Sequence, residues 1–137
     1  MRLMMTTAVA LTLALTPIGG QATAKPPLRD VAEIDSNMLW VALAIEVSDK
    51  CEEINARTLK GLAFLNSLRS RAKSMGYSSD EIKAYVNSDA EKARIRTLGE
   101  AYVKSKGLNP ADTGDLCTLG HAEIAARSQI GVLLKAK

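Results

Sequence analysis

Residues 51–75, CEEINARTLKGLAFLNSLRSRAKSM, constrain the fold more than any other stretch. Ile54, Thr58, Gly61, Leu62, Leu65, Leu68, Ala72 and Met75 recur at steps of three and four, which predicts one helix with a single apolar stripe. No proline interrupts it. Glu52 and Glu53 in the first turn, and Arg69, Arg71 and Lys73 near the last, oppose the helix dipole at both ends. Gly76 supplies a left-handed C-cap. The other helices are expected to pack on this one, with Cys51 tying its start to Cys117.

The N-terminal residues read as a targeting segment. Arg2 gives a positive start, residues 4–15 are an apolar run broken only by threonines, and Ala22-Thr23-Ala24 offers a small-residue cleavage pattern. The run is about a dozen residues, short of the roughly 20 needed to span a bilayer. Residues 1–24 are therefore expected to be a signal peptide that is removed on export to the periplasm, leaving no transmembrane segment in the mature chain. Residues 25–34, with Pro26 and Pro27, read as an extended arm, and residues 35–137 as a single domain. From residue 25 onward the chain carries 17 basic and 15 acidic residues, a near balance that argues against a dedicated nucleic-acid binder. Trp40, Phe64, Tyr77, Tyr85 and Tyr102 are its only aromatics, so the core must rest on aliphatic side chains.

Asp35 or Ser36 is a potential cap for the first helix, and residues 37–47 (NMLWVALAIEV) are apolar nearly all round, with Glu46 their only charge. A helix of that kind is central to a core or pressed on a partner. Ser78 with Glu81 and Ser88 with Glu91 fit capping boxes, predicting a short helix and then a long one over residues 89–106, stopped by Gly107. Ile95, Leu98, Ala101, Tyr102 and Val103 form the inward stripe of the long helix. Residues 115–127 make a weaker helical pattern because Gly120 falls inside it, with Leu116, Cys117, Ile124 and Ala125 facing inward. The tail SQIGVLLKAK extends that helix, lies across the bundle or makes a short strand, and an extended docked tail is favoured over a sheet. The fold class that follows is all-α: a bundle of four to five helices tied by one disulfide.

Two cysteines in an exported chain default to one disulfide, and Cys51–Cys117 is the one pairing available. No Cys-x-x-Cys motif points to redox or haem chemistry. His121, the single histidine, shares a helix face with Cys117, and with Cys51 the three form part of a metal-ligand set. The set lacks a fourth ligand and the disulfide would consume both thiols, so the favoured reading is a half-buried histidine over the disulfide. No catalytic constellation and no cofactor motif is evident. Arg57, Lys60, Arg69, Arg71 and Lys73 form an acid-free basic face suited either to solvent or to anionic headgroups or an acidic partner. Trp40, Arg69, Arg71, Ile130, Leu133 and Leu134 are the candidate interface residues.

The runs FLNSLRSRAKSMGYSSDEIKAYVNSDAEKARIRTLGEAYVKSKG and LCTLGHAEIAARSQIGVLLKAK resemble a family of short exported alphaproteobacterial proteins classed as a domain of unknown function. The resemblance covers residue 28 to the C-terminus. It implies a helical periplasmic domain with the same two cysteines, and no reaction or catalytic residues. The expected role is non-enzymatic: an accessory or interaction protein that docks on a larger periplasmic or inner-membrane assembly, such as a respiratory complex. A periplasmic holdase is the alternative, and a metal-binding protein built on His121 and the cysteines the third.

Overall fold

The computed structural model describes residues 24–137. Among the described residues there are five helices: α1 (Ala32–Lys50), α2 (Thr58–Ser74), α3 (Ser79–Asn87), α4 (Asp89–Ser105) and α5 (Thr113–Ala126). Two three-residue strands, β1 (Ile54–Ala56) and β2 (Leu134–Ala136), pair antiparallel with Ile54 opposite Ala136 and Ala56 opposite Leu134. The chain is mostly helical, and Cys51 Sγ lies at bonding distance, 2.05 Å, from Cys117 Sγ. The signal peptide read over residues 1–24 lies outside the described residues, Ala24 apart.

The element at the centre is α1, not the stretch from residue 51. α1 packs against α2, α4, α5, β1 and the 3-10 turns at Leu28–Asp30 and Gly131–Leu133. Its all-round apolar sequence is the reason: Ile34, Val41, Leu43, Ala44 and Val47 are all buried. The helix is also longer than its apolar run, beginning at Ala32, so Asp35 and Ser36 lie inside it and cap nothing.

The helix expected over residues 51–75 splits. Cys51 ends α1 in extended backbone, β1 follows, and α2 begins only at Thr58. Ile54 matched the helical period by coincidence. It is a buried strand residue, packed where Gly120 of α5 leaves room beneath it. Nonlocal hydrogen bonds decide the local structure here: Arg57 N–H donates to Leu133 O at 2.8 Å, and Lys137 N–H to Glu53 O at 2.9 Å. The C-terminal tail thus forms a sheet edge after all. Ile130, Leu133 and Leu134 are buried in the main core and offer no interface.

Capping fixes the remaining boundaries. Ser78 accepts from Glu81 N–H at 3.1 Å while Glu81 accepts from Ser78 N–H at 2.6 Å, a complete capping box. Ser88 accepts from Glu91 N–H at 3.3 Å, but the Glu91 side chain does not return to the cap. Gly76 and Gly107 close α2 and α4 with φ of 93° and 75°, a region costly for any residue with a Cβ. Two inward assignments on α4 fail, because Leu98 and Ala101 are exposed, and Ala125 on α5 is exposed as well. In their place Glu91, Gly99, Leu119, Gly120 and Glu123 are buried. The N-terminal arm is docked: Leu28 is buried, and Tyr77 Oη donates to Pro26 O at 2.5 Å.

Candidate functional site

α1 and α4 run in parallel. Asp35 meets Arg94 near the start of both helices, and Leu43 meets Gly99 further along. A Cβ at Gly99 would sit 3.4 Å from Leu43 Cδ2, an ordinary packing distance, so this position marks where α4 rests on the Leu43 side chain. On one side of this contact the core closes around Val47. On the other, α1, α3 and α4 part to leave an open groove of about 350 Å³ that reaches down to Val103 and Leu116. Met38, Ala42, Ile45, Val86, Ile95 and Gly99 provide its apolar lining. Ile45 is 51% exposed and Val86 44% exposed, so part of this apolar lining meets solvent. Lys92 and Arg96 lie along the α4 wall, and Glu46 and Glu100 toward the far end. The groove therefore has an apolar floor and a rim that is basic first and acidic further on.

A charge network holds the near end. Arg94 donates from both Nη atoms to the Asp35 carboxylate, one bond being 3.1 Å, and from Nε to Glu91 at 2.8 Å. Arg29 donates to the other Glu91 oxygen, and Tyr85 Oη donates to Asp35 at 2.6 Å. Two cations thus meet two carboxylates, and no fully buried side-chain polar atom among the described residues lacks a partner. Arg94, with Arg29 behind it, holds the Glu91 carboxyl below the usual carboxylate range against its burial. Burial, then the Asp35 carboxylate, pushes the Tyr85 phenol well above its ordinary value, so Tyr85 is a donor. The network pins the N-terminal turn, α1, α3 and α4 together, and so sets the width of the groove.

This explains the unfinished capping box at Ser88. Glu91 is drawn inward to the two arginines instead of back to the cap. A second buried carboxylate, Glu123 on α5, accepts from Tyr102 Oη. Burial and Glu123 push the Tyr102 phenol up to about 12. Trp40 packs edge-on against the Tyr102 ring, with centroids 5.2 Å apart, and is a half-buried anchor of the core rim.

A family model described as "Family of unknown function (DUF5333)" matches residues 26–135. The chain belongs to that family. Comparison with curated proteins and with solved structures finds no match. Membership of DUF5333 assigns no reaction, so the residues of this DUF5333 domain must be read for themselves.

Of the residues singled out from sequence, Cys51 and Cys117 are joined, with Cα atoms 5.2 Å apart. His121 is exposed, not half-buried, and its Nε2 lies 3.0 Å from Glu53 Oε2. Among the described residues no three His, Cys, Asp or Glu side chains stand together as a metal site. Arg71 is bound to Glu33 at 2.6 Å, while Arg69 is exposed without an ion pair among the described residues. Arg57 Nε donates to Leu134 O at 3.0 Å, so one of the five basic residues serves the ribbon. The groove residues Ile45, Gly99, Lys92 and Arg96 went unrecognised as a site. Their sequence signal is the excess apolar surface of α1, which exceeds what a single core can cover.

Proposed function

We propose that this is a non-catalytic, exported accessory protein that docks on a larger assembly at the inner membrane. In this reading the α1–α3–α4 groove receives an amphipathic helix of the partner. The observation that carries it is the groove itself: an apolar floor with Ile45 and Val86 exposed, and charges of both signs sorted along its rim. A helix with apolar residues at successive turns fits such a trough. Acidic residues facing Lys92 and Arg96, and basic ones facing Glu46 and Glu100, would set its direction.

The disulfide is compatible with an oxidising compartment. No helix among the described residues is long and apolar enough to cross a membrane. The Glu91 carboxylate and the Tyr85 phenol at the groove are already engaged in ion pairs and a hydrogen bond, which favours a scaffold over a reaction centre.

The test is a photo-crosslinking amino acid placed at Val86, with Lys83 on the exposed side of α3 as the control position. Val86 should yield one discrete adduct whose crosslinked residues map to one face of a partner helix. Ile45→Glu, at an exposed position, should abolish that adduct without lowering the melting temperature. An adduct equal from both positions, or one indifferent to Ile45→Glu, refutes the reading.

A further inference from the structure

α2 carries a surface that the groove does not use. Only Leu68 and Ala72 are buried along its 17 residues. The helical period sets Leu59, Leu62, Asn66, Arg69 and Lys73 in one stripe turned away from those two, and all five are exposed. Leu59 is 83% and Leu62 54% exposed, one turn apart at the start of the helix. Isolated surface leucines are ordinary, but two adjacent ones followed by cations make an amphipathic pattern.

The charge on this helix has one sign. From Arg57 to Ser79 there is no acidic residue. Glu33 neutralises Arg71, whereas Lys60, Arg69 and Lys73 have no ion-pair partner among the described residues. No α2 side chain lines the α1–α3–α4 groove or the pocket under the N-terminal arm. An exposed helix face with leading leucines and trailing cations suits a partner that is soft, anionic and without shape of its own.

We propose that the outer stripe of α2 seats on an anionic lipid bilayer. Leu59 and Leu62 enter the headgroup–acyl boundary, while Arg69 and Lys73, roughly 10–20 Å further along the axis, meet lipid phosphates. The stripe shares no residue with the groove, and this assignment stands whether or not the groove binds a helix.

The experiment is flotation of the mature chain, residues 25–137, with vesicles of phosphatidylcholine, alone or mixed with phosphatidylglycerol. Binding should rise with the phosphatidylglycerol fraction and fall as salt is raised. Arg69→Gln/Lys73→Gln should weaken the anionic-dependent part by roughly five-fold for each basic side chain removed. Leu59→Ser/Leu62→Ser should weaken it several-fold as well, because insertion and charge act together. Lys83→Gln/Lys104→Gln removes the same net charge from elsewhere on the surface and should change it little. Unfolding curves should be unaltered, since all these side chains are exposed. Binding indifferent to phosphatidylglycerol overturns the proposal. So does an equal loss in the Lys83/Lys104 control, or no loss in the leucine variant.

Discussion

Replacing Gly120 with alanine should destabilise the protein, against the usual direction for a glycine inside a helix. A Cβ built there would stand 2.5 Å from Val47 Cγ1 and 2.5 Å from Ile54 Cδ1. Both neighbours are among the most deeply buried side chains of the molecule. Neither can retreat easily, because the Cys51–Cys117 bond pins the end of α1 to α5 one turn before Gly120. Overpacking of this kind costs about 1–3 kcal/mol. The gain in helix propensity from glycine to alanine offsets at most about 1 kcal/mol of it. A net loss of up to about 2 kcal/mol follows when the full offset applies. Gly61 supplies the internal comparison, since nothing lies within 4 Å of its Cβ position and alanine there keeps most of the propensity gain. For a domain of this size the two variants should melt roughly 10 °C apart, Gly61→Ala higher. Gly99→Ala, with its nearest contact at 3.4 Å, should fall between them. The measurement is thermal unfolding of the oxidised proteins followed by circular dichroism. A Gly120→Ala protein that melts as high as Gly61→Ala would refute the packing argument.

Three further outcomes are expected. Reducing the disulfide opens a loop of 66 residues and should lower stability by about 4 kcal/mol on the chain-entropy account, seen as a fall in the urea midpoint on adding reductant. Glu91 has a lowered folded pKa, so its pairing stabilises the fold above the normal carboxylate range and the contribution is lost as pH falls through the lowered value. Glu91→Gln should therefore be less stable at neutral pH and show a shallower acid limb in stability against pH. Tyr102 has a folded pKa raised from 10.0 to about 12, so its contribution is full below the ordinary phenol value and is lost as pH rises through that window. Tyr102→Phe should flatten the alkaline limb, and an unchanged limb would contradict the Tyr102–Glu123 bond.

Helix ends were legible where side chains create them locally. Ser78 and Glu81 announce the start of α3, Ser88 the start of α4, and Gly76 and Gly107 the ends of α2 and α4, all from residues within a few positions of the boundary. The stretch from Cys51 to Arg57 was misread because its structure is decided elsewhere. Three residues of strand show no useful alternation, and the partner of β1 lies some 80 positions away at the C-terminus. A period of 3.6 then claimed Ile54 by default. Gly120 was read as a weak point in α5, when it is the notch that admits Ile54 and Val47. Sequence pattern reports a residue's own preference and not the surface pressed against it.

The groove follows from the same division between local and nonlocal causes. That α1 has apolar residues on every side is plain in the sequence, and such a helix must either be wholly enclosed or leave some of that surface for a partner. Which side stays open is set by pairings no local pattern contains. Arg94 reaches across to Asp35, Glu91 abandons its cap for Arg94 and Arg29, and Gly99 packs on Leu43. These contacts fix α4 in parallel beside α1, while α5, β1 and the C-terminal tail cover the opposite flank. The ten residues from Met38 to Val47 thus lie in a cradle that is closed below and open above, with Ile45 at the opening. Because the charge network lies at one end of that opening, substitutions there should alter its width before they alter its chemistry. Arg94→Met is the informative case: it removes the bridge between Asp35 and Glu91 while leaving Ile45, Val86 and Gly99 in place. If the groove is a docking trough, the Val86 crosslink should weaken in Arg94→Met in proportion to the stability lost. A crosslink that persists at full yield would mean the network serves the fold alone.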